Sequence, residues 1–354
     1  MALAALAIVA LLGLAGVVLL RGNRARTSSL LVAALAVGLI GADLVADLFA
    51  PKAMGAGIVR VTDPGEWLVP DAVLGYRPRA NTKVDVRETF DGKPVFHHTY
   101  TILADQTRAT IAAPPGADTY VFLGDSFMFG EGLADDETVP SQFARFAGSR
   151  VRAVNFAASG YAPNHLVRAV EAGLLDSYKS PNLMAMVTWV IPDHLARVTG
   201  DGGWLGSSPR YVLENGVLRF TGTFDDYRWH HPIEGLRYLL GRQFAFVNAI
   251  GQQQRQQEQA DLFVALVVRL QALVRERYGV PLLVVYSWPD QNTDDALLVS
   301  LPGKLRAAGV KLMRVNDVTT GHDVSKLLIP HDGHPTAFQD GLIAAELKRL
   351  LIGP

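Results

Sequence analysis

The stretch that decides the fold is Thr119-Tyr-Val-Phe-Leu-Gly-Asp-Ser-Phe-Met-Phe-Gly-Glu-Gly132. Its apolar run at 120–123 predicts a short buried strand. The strand ends at Gly124-Asp125-Ser126, where a small residue, an acid and a hydroxyl meet. In an open parallel α/β sheet, ligands bind at the carboxyl ends of the strands. The stretch therefore predicts a site beside Ser126.

From this stretch to the end of the chain, apolar runs alternate with segments of helical periodicity. The predicted strands are 120–123, 151–156, 183–191, 281–288 and 310–315. The predicted helices are 137–147, 164–175, 260–278, 301–308 and 336–351. Short apolar strands separated by helices indicate a mostly parallel sheet that is covered on both faces.

The remaining segments suggest additions to this α/β domain of residues 119–354. Residues 51–65 are rich in glycine and proline and predict a linker. Residues 66–118 predict a small β lead-in, with a hairpin turn at Asp91-Gly92. An insertion at about 195–259, with a hairpin around Asn215-Gly216, interrupts the strand–helix rhythm and could cap the site.

The amino-terminal segment, 1–50, contains two apolar stretches of membrane-spanning length, 2–20 and 28–50. A cleaved signal peptide is the alternative for the first stretch, and a buried core helix for the second. No basic region precedes the first stretch. We therefore predict a transmembrane helix hairpin, with the connector arginines on the cytoplasmic side of a bacterial inner (plasma) membrane: Arg21, Arg24 and Arg26. The catalytic domain would then be extracytoplasmic.

Composition excludes several classes of function. The formal net charge is −1, with no basic excess to favour nucleic-acid binding. The chain has no cysteine, which excludes a disulfide scaffold, a thiolate metal site and a cysteine nucleophile. No motif calls for a cofactor, and nothing in the sequence fixes the oligomeric state.

Polar residues follow several of the predicted strands. Ser126 follows the first strand, Gly160 lies in a turn after the second, and Pro192-Asp193-His194 follows the third. Asp332 and His334 directly precede the last helix. A serine hydroxyl becomes a nucleophile when an imidazole takes its proton and an acid orients the imidazole. We therefore predict Ser126 as nucleophile, His334 as base and Asp332 as its partner.

Residues 119–350 resemble the SGNH (GDSL) hydrolase family. Gly124-Asp125-Ser126 matches the family's first block, Gly160 its second-block glycine, and Asp332 and His334 its last block. The resemblance implies a flavodoxin-like three-layer fold and esterase, lipase or acyltransferase chemistry on carbohydrate or lipid esters. Backbone N–H groups of Ser126 and Gly160 would stabilise the oxyanion.

The chain departs from this family at two places. The family spaces its acid and histidine one residue further apart, which would put the acid at His331. Its third-block asparagine, an oxyanion donor, is replaced by Pro192-Asp193-His194. His194 or Asn164 could donate in its place. Asp193 and His194 could instead contact substrate, and His194 could equally be a structural residue.

Other site chemistries fit the residues less well. The nucleophile elbow of α/β-hydrolases needs a glycine two residues after the serine, where Met128 stands. A metal hydrolase could use ligand types near the carboxyl end, but the helical His-Glu-x-x-His pattern is absent. We predict a membrane-anchored serine esterase acting on envelope carbohydrate or lipid esters. The alternatives are an O-acyltransferase of an extracytoplasmic polysaccharide and a non-catalytic carbohydrate-binding module.

Overall fold

The computed structural model describes residues 2–49, 57–148, 150–241, 252–287 and 296–353. The chain forms two compact units, Met1–Ala53 with Arg228–Arg255, and Met54–Tyr227 with Gln256–Pro354. Parts of four predicted features lie outside the described residues: Ala50 of the second apolar stretch, 51–56 of the linker, 242–251 of the insertion, and Trp288 of the fourth predicted strand.

Strands and helices are numbered in chain order. The strands are β1 (Ile58–Asp63), β2 (Leu68–Asp71), β3 (Gly75–Pro78), β4 (Thr82–Phe90), β5 (Lys93–Ile102), β6 (Asp118–Gly124), β7 (Val151–Ala157), β8 (Leu183–Val190), β9 (Pro209–Glu214), β10 (Val217–Thr223), β11 (Leu282–Tyr286) and β12 (Lys311–Arg314). The helices are α1 (Ala2–Leu19), α2 (Asn23–Phe49), α3 (Ser126–Phe129), α4 (Val139–Ala147), α5 (Pro163–Glu171), α6 (His194–Arg197), α7 (Phe224–His230), α8 (Pro232–Gly241), α9 (Gln252–Tyr278), α10 (Ala296–Ala307), α11 (Asn316–Thr319), α12 (Val324–Leu327) and α13 (Ala337–Leu351).

The larger unit is built on a parallel sheet with the strand order β12-β11-β8-β6-β7. Numbered from β6, this is the 2-1-3-4-5 order of flavodoxin-like folds. The chain runs from β6 to β7 on one side and then crosses to β8 on the other. The carboxyl end of β6 therefore lies at the topological switch point, where such sheets bind ligands.

Side chains alternate between two buried layers along β6. Val121 and Leu123 join one apolar core with α5, α9 and α10, and Tyr120 and Phe122 join the other with α4 and α13. This pattern arises because successive residues of a strand point to opposite faces. The predicted three-layer α/β architecture is confirmed. The helices differ from prediction mainly at their starts, since α9 begins at Gln252 and α10 at Ala296.

The β lead-in is a three-stranded antiparallel sheet in the order β1-β4-β5. Its hairpin turns at Asp91-Gly92, with Phe90 opposite Lys93, as predicted. The linker prediction was wrong for residues 58–63, which form β1 and pair with β4. Apolar residues of β4 and β5 pack in the same core as α4 and α13. The lead-in therefore contributes to the core on that face of the parallel sheet.

Arg108, between the lead-in and β6, is a fully buried cation. Its guanidinium donates to the carbonyls of Phe129, Gly130 and Leu133 at 2.6–2.8 Å and to Asp135 Oδ1 at 3.0 Å. Burial lowers the pKa of Arg108, and the charge of Asp135 opposes that shift. The contacts hold the loop that follows α3.

The smaller unit contains α1 and α2. Glycines allow these helices to approach closely, because a Cβ on Gly13 would lie 2.9 Å from the carbonyl oxygen of Ser29. Within the described residues, one helical segment, Asn23–Gly41, has the length and composition to cross a membrane, and Val9–Leu19 is a shorter apolar helix. The transmembrane hairpin stays a prediction.

Candidate active site

Ser126 lies where β6 passes directly into the short helix α3. Asp125 caps this helix, and its Oδ1 accepts a hydrogen bond from the N–H of Phe127 at 3.1 Å. Gly124 leaves room for the turn, because a Cβ there would lie 2.6 Å from the Cβ of Met128. The turn places the Ser126 hydroxyl at the carboxyl edge of the sheet, where only 5% of the residue is exposed.

Ser126, His334 and Asp332 form a continuous hydrogen-bonded chain. His334 Nε2 lies 2.8 Å from Ser126 Oγ, and His334 Nδ1 lies 2.7 and 2.6 Å from the two oxygens of Asp332. Because a carboxylate only accepts, Nδ1 carries the hydrogen and Nε2 is left to accept the serine proton. This is the arrangement that activates a serine for nucleophilic attack.

The loop before α13 explains how an acid two residues from the histidine reaches its ring. Ile329 N–H donates to the carbonyl of His334 at 2.8 Å, and Gly333 N–H donates back to the carbonyl of Ile329 at 3.0 Å. His331 has a positive φ of 67° and stacks on Phe90 with ring centroids 3.7 Å apart. The tight turn directs Asp332, and not His331, to the imidazole.

A second carboxylate lies on the other side of the His334 ring. Glu131 Oε2 is 3.3 Å from His334 Nε2, and Glu131 Oε1 accepts a hydrogen bond from Ser159 Oγ. Burial of His334 lowers its pKa, but the hydrogen bond to Asp332 and the charge of Glu131 outweigh that effect, so the pKa is raised overall. The protonated form of the His334 imidazole is therefore stabilised.

Gly160 lies in the loop between β7 and α5 with φ of 80°. A Cβ at this position would lie 2.5 Å from Trp204 Nε1 and 2.7 Å from Tyr76 Oη, so glycine is required for space as well as conformation. Among the described residues, the backbone N–H groups of Ser126 and Gly160 have no hydrogen-bond acceptor. Both residues line the same cleft.

The cleft has a volume of about 610 Å³. It is lined by Ser126 and His334 together with residues from the lead-in, the Gly160 loop and the insertion: Arg60, Tyr76, Ser159, Arg197 and Trp204. The first part of the insertion thus contributes to the cleft wall, and a cap over the site stays a prediction. This volume lies within the range of small-molecule binding sites.

Besides Asp332, which contacts His334 Nδ1, three predicted site residues lie outside the cleft lining. His194 is buried, with Nε2 3.2 Å from Asp125 Oδ2. The amide of Asn164 donates to the carbonyl of Pro209 at 2.7 Å. The side chain of Asp193 is 73% exposed, and its Oδ2 lies 3.6 Å from Arg197 Nη2. None of the three is placed as an oxyanion donor or a substrate contact, because each faces the protein or solvent.

His194 belongs instead to a buried ionic cluster under the nucleophile. Asp125 Oδ2 accepts from Arg197 Nη1 at 2.9 Å as well as facing His194. Burial raises the pKa of Asp125, but its two partners outweigh burial and hold the pKa below its usual value. The residues after β8 therefore fix the carboxylate that caps α3, which is a structural role.

Arg60 and Glu131 are site residues that the sequence reasoning missed. Glu131 lies between two glycines in the quoted stretch, and an acid in so apolar a run was a usable signal. Arg60 was assigned to a linker because glycines and prolines surround it. The alternation of apolar and polar residues at 58–62 was the only sign of a strand there.

No family model matches the chain, and no curated protein is significantly similar to it. Solved structures that it resembles include a catalytic mutant of an acetylxylan esterase from Geobacillus stearothermophilus (11% identity, 69% of this chain, 97% of that chain, TM-score 0.39). Another is a carbohydrate acetylesterase family member from Sinorhizobium meliloti (14%, 67%, 100%, TM-score 0.38). A third, from Desulfitobacterium hafniense, is assigned to the G-D-S-L lipolytic family (12%, 66%, 99%, TM-score 0.36).

Proposed function

We propose that this protein is a serine esterase of the SGNH type that removes ester-linked acyl groups from envelope carbohydrate or lipid. The observation that carries the proposal is the hydrogen-bonded chain from Ser126 Oγ through His334 to Asp332. Ser126 and His334 line one cleft together with Gly160, which supports a role for the N–H groups of Ser126 and Gly160 as oxyanion donors.

In the first step, Ser126 Oγ attacks the ester carbonyl carbon while His334 Nε2 takes the hydroxyl proton. Asp332 holds the imidazolium through Nδ1–H, and the N–H groups of Ser126 and Gly160 stabilise the tetrahedral oxyanion. When the carbon–oxygen bond of the ester breaks, His334 returns its proton to the departing alcohol oxygen. The acyl group is then bonded to Ser126.

In the second step, water attacks the acyl-enzyme. His334 accepts a proton from the water, and the collapse of the second tetrahedral intermediate restores the Ser126 hydroxyl and releases a carboxylic acid. A sugar hydroxyl in place of water would receive the acyl group, which is the reaction of an O-acyltransferase. Hydrolase and transferase thus share the acyl-enzyme and differ only in the acceptor.

A fluorophosphonate probe tests the nucleophile on the full chain. The wild-type protein should be labelled and Ser126→Ala should not. Ser159→Ala is the matched control, because Ser159 lies in the same cleft but bonds Glu131, and this variant should still be labelled. A folded wild-type protein that is not labelled would refute the esterase proposal and favour a non-catalytic carbohydrate-binding module.

The acceptor is tested by product analysis with p-nitrophenyl acetate and a polysaccharide. Free acetate in proportion to released p-nitrophenol supports hydrolysis. Acetylated polysaccharide, formed by the wild type and absent with Ser126→Ala, would show that the protein is a transferase.

We further propose that the N-terminal helices anchor the protein in a plasma membrane, with the catalytic domain outside the cytoplasm. The apolar segment Asn23–Gly41 and the arginines beside it support this orientation. A reporter fused after Pro354 should be active only if it is a type that functions outside the cytoplasm. Activity of a cytoplasm-specific reporter would refute the orientation.

A further inference from the structure

Arg60 contacts three carboxylates beside the proposed catalytic residues. Its Nη2 lies 3.2 Å from both oxygens of Asp332, its Nη1 lies 2.8 Å from Glu131 Oε2, and its Nε lies 2.8 Å from Glu88 Oε2. The guanidinium is planar and rigid, so it can fix the relative positions of several carboxylates where a lysine could not.

Two of these carboxylates lie on opposite sides of the same ring. Asp332 Oδ2 is 2.6 Å from His334 Nδ1, and Glu131 Oε2 is 3.3 Å from His334 Nε2. Both acids are almost completely buried, with 2% and 9% of their side chains exposed. One guanidinium therefore bridges the acids that define both the orientation and the charge environment of the imidazole.

Arg60 reaches these carboxylates from the lead-in sheet. Arg60 belongs to β1, at the start of the lead-in, and lies opposite Glu88 of β4 in the sheet register. Glu88 is only 1% exposed, and its ion pair with Arg60 helps to hold the guanidinium in place. The lead-in sheet thus places the guanidinium of Arg60 beside the proposed catalytic residues.

We propose that Arg60 is a positioning residue of the esterase, acting on His334 through Asp332 and Glu131. Asp332 alone could rotate away from the ring, and two carboxylates close to one imidazole would repel each other without a shared cation. With Arg60 present, both acids are held and their repulsion is offset. This inference rests on the proposed esterase function.

Hydrolysis of p-nitrophenyl acetate by the full chain in detergent tests the proposal. Arg60→Ala should lower kcat by about 10²-fold, because small misplacements of catalytic groups cost that much. Arg87→Ala is the matched control, since Arg87 is an exposed arginine of the same sheet that pairs with Asp85. It should stay within about threefold of wild type, as expected for an exposed ion pair.

Chemical rescue separates positioning from a general effect on folding. The side chain of Arg60 is 31% exposed and lines the cleft, so added guanidinium ion can enter the space left by Arg60→Ala. Guanidinium at non-denaturing concentration should restore kcat by at least about tenfold, and sodium chloride of equal ionic strength should not. Absence of rescue in a folded Arg60→Ala protein would overturn the proposal.

A double variant tests whether Arg60 acts through Asp332. In the Asp332→Asn background, Arg60→Ala should cost less than about tenfold, because the pathway through Asp332 is already lost. If the loss of kcat in the double variant equals the product of the losses in the two single variants, the proposal is contradicted. If Arg60→Ala does not fold, Arg60→Lys decides: a loss of about tenfold supports the proposal, and a wild-type rate overturns it.

These outcomes are distinct from failure of the proposed function. An unlabelled, inactive wild type overturns both the function and this inference. An active wild type whose Arg60→Ala variant is equally active overturns the role of Arg60 alone.

Discussion

His334 Nε2 lies 2.8 Å from Ser126 Oγ although 208 residues separate the two along the chain. Ser126 follows the first strand of the parallel sheet, and His334 precedes the last helix. The topology brings them together because the turn at Ser126 lies at the switch point of the sheet. Single substitutions at residues around this contact therefore have specific expected effects.

The first prediction concerns which residue orients His334. Asp332→Asn should reduce kcat by about 10³–10⁴-fold, because an amide no longer favours the tautomer with hydrogen on Nδ1. His331→Ala should change kcat by less than about tenfold, since His331 stacks on Phe90 and not on the catalytic imidazole. Steady-state kinetics with p-nitrophenyl acetate measures both. Equal losses of kcat in the two variants would mean that the conformation of the turn, and not the Asp332 carboxylate, positions His334.

The second prediction concerns pH. His334 acts as a base only when neutral, and its pKa is raised above the ordinary value of 6.5. The acidic limb of kcat/KM should therefore have its midpoint above pH 6.5. Glu131→Gln removes one of the charges that raise this pKa, so its midpoint should move to lower pH. A midpoint that is unchanged or moves upward would show that Glu131 does not act on the imidazole.

The third prediction concerns Gly160 as an oxyanion donor. Gly160→Ala forces a Cβ against Trp204 Nε1 and Tyr76 Oη, and should displace the N–H and lower kcat by about 10²–10³-fold. Gly216→Ala is the control, because Gly216 has a similar φ of 78° but its Cβ would meet nothing within 4 Å. That variant should keep its kcat. Comparable losses in both would assign the effect to backbone strain.

The fourth prediction concerns stability. Asp125→Asn leaves Arg197 without its buried carboxylate and should lower the free energy of unfolding by about 3 kcal/mol. Asp193→Asn, at an exposed carboxylate beside the same arginine, should change it by less than about 1 kcal/mol. Urea unfolding of the full chain in detergent gives both values.

The pH dependence of unfolding gives the same test a second readout. The folded state lowers the pKa of Asp125 below 3.8, so its contribution is fully present above that pH. It is lost as the pH falls through the lowered value. Wild type should therefore lose more stability than Asp125→Asn on acidification through this range. Parallel acid profiles would contradict the assignment.

Much of the fold was predictable because the central sheet follows simple periodicity. Its strands β6, β8 and β11 are buried on both faces and so are nearly continuous apolar runs, which are easily found in the sequence. Ser126, Asp332 and His334 were predictable because motif residues at strand and helix ends converge on one sheet edge. Gly160 was predictable as a turn before a helix, although the crowding by Tyr76 and Trp204 was not.

The rest depended on contacts between distant segments. The sequence gives no sign that Arg60 reaches Asp332, because β1 is short, mostly exposed and embedded in glycine and proline. A donor role for His194 was one alternative, because its position after β8 matches that of an oxyanion donor. Its actual partner, Asp125, is set by packing under α3, which no local pattern encodes.

Arg108 has a consequence for any attempt to isolate the catalytic part. Its guanidinium binds three backbone carbonyls at the end of α3 and in the loop after it, although Arg108 precedes the first strand of the parallel sheet. A fragment that begins at residue 119 lacks Arg108. The buried carbonyls would then have lost this hydrogen-bond donor, and the loop that carries Glu131 would no longer be held by it. Because β1 also carries Arg60, which contacts Glu131 and Asp332, the smallest fragment suited to expression and crystallisation begins before β1, at about residue 57.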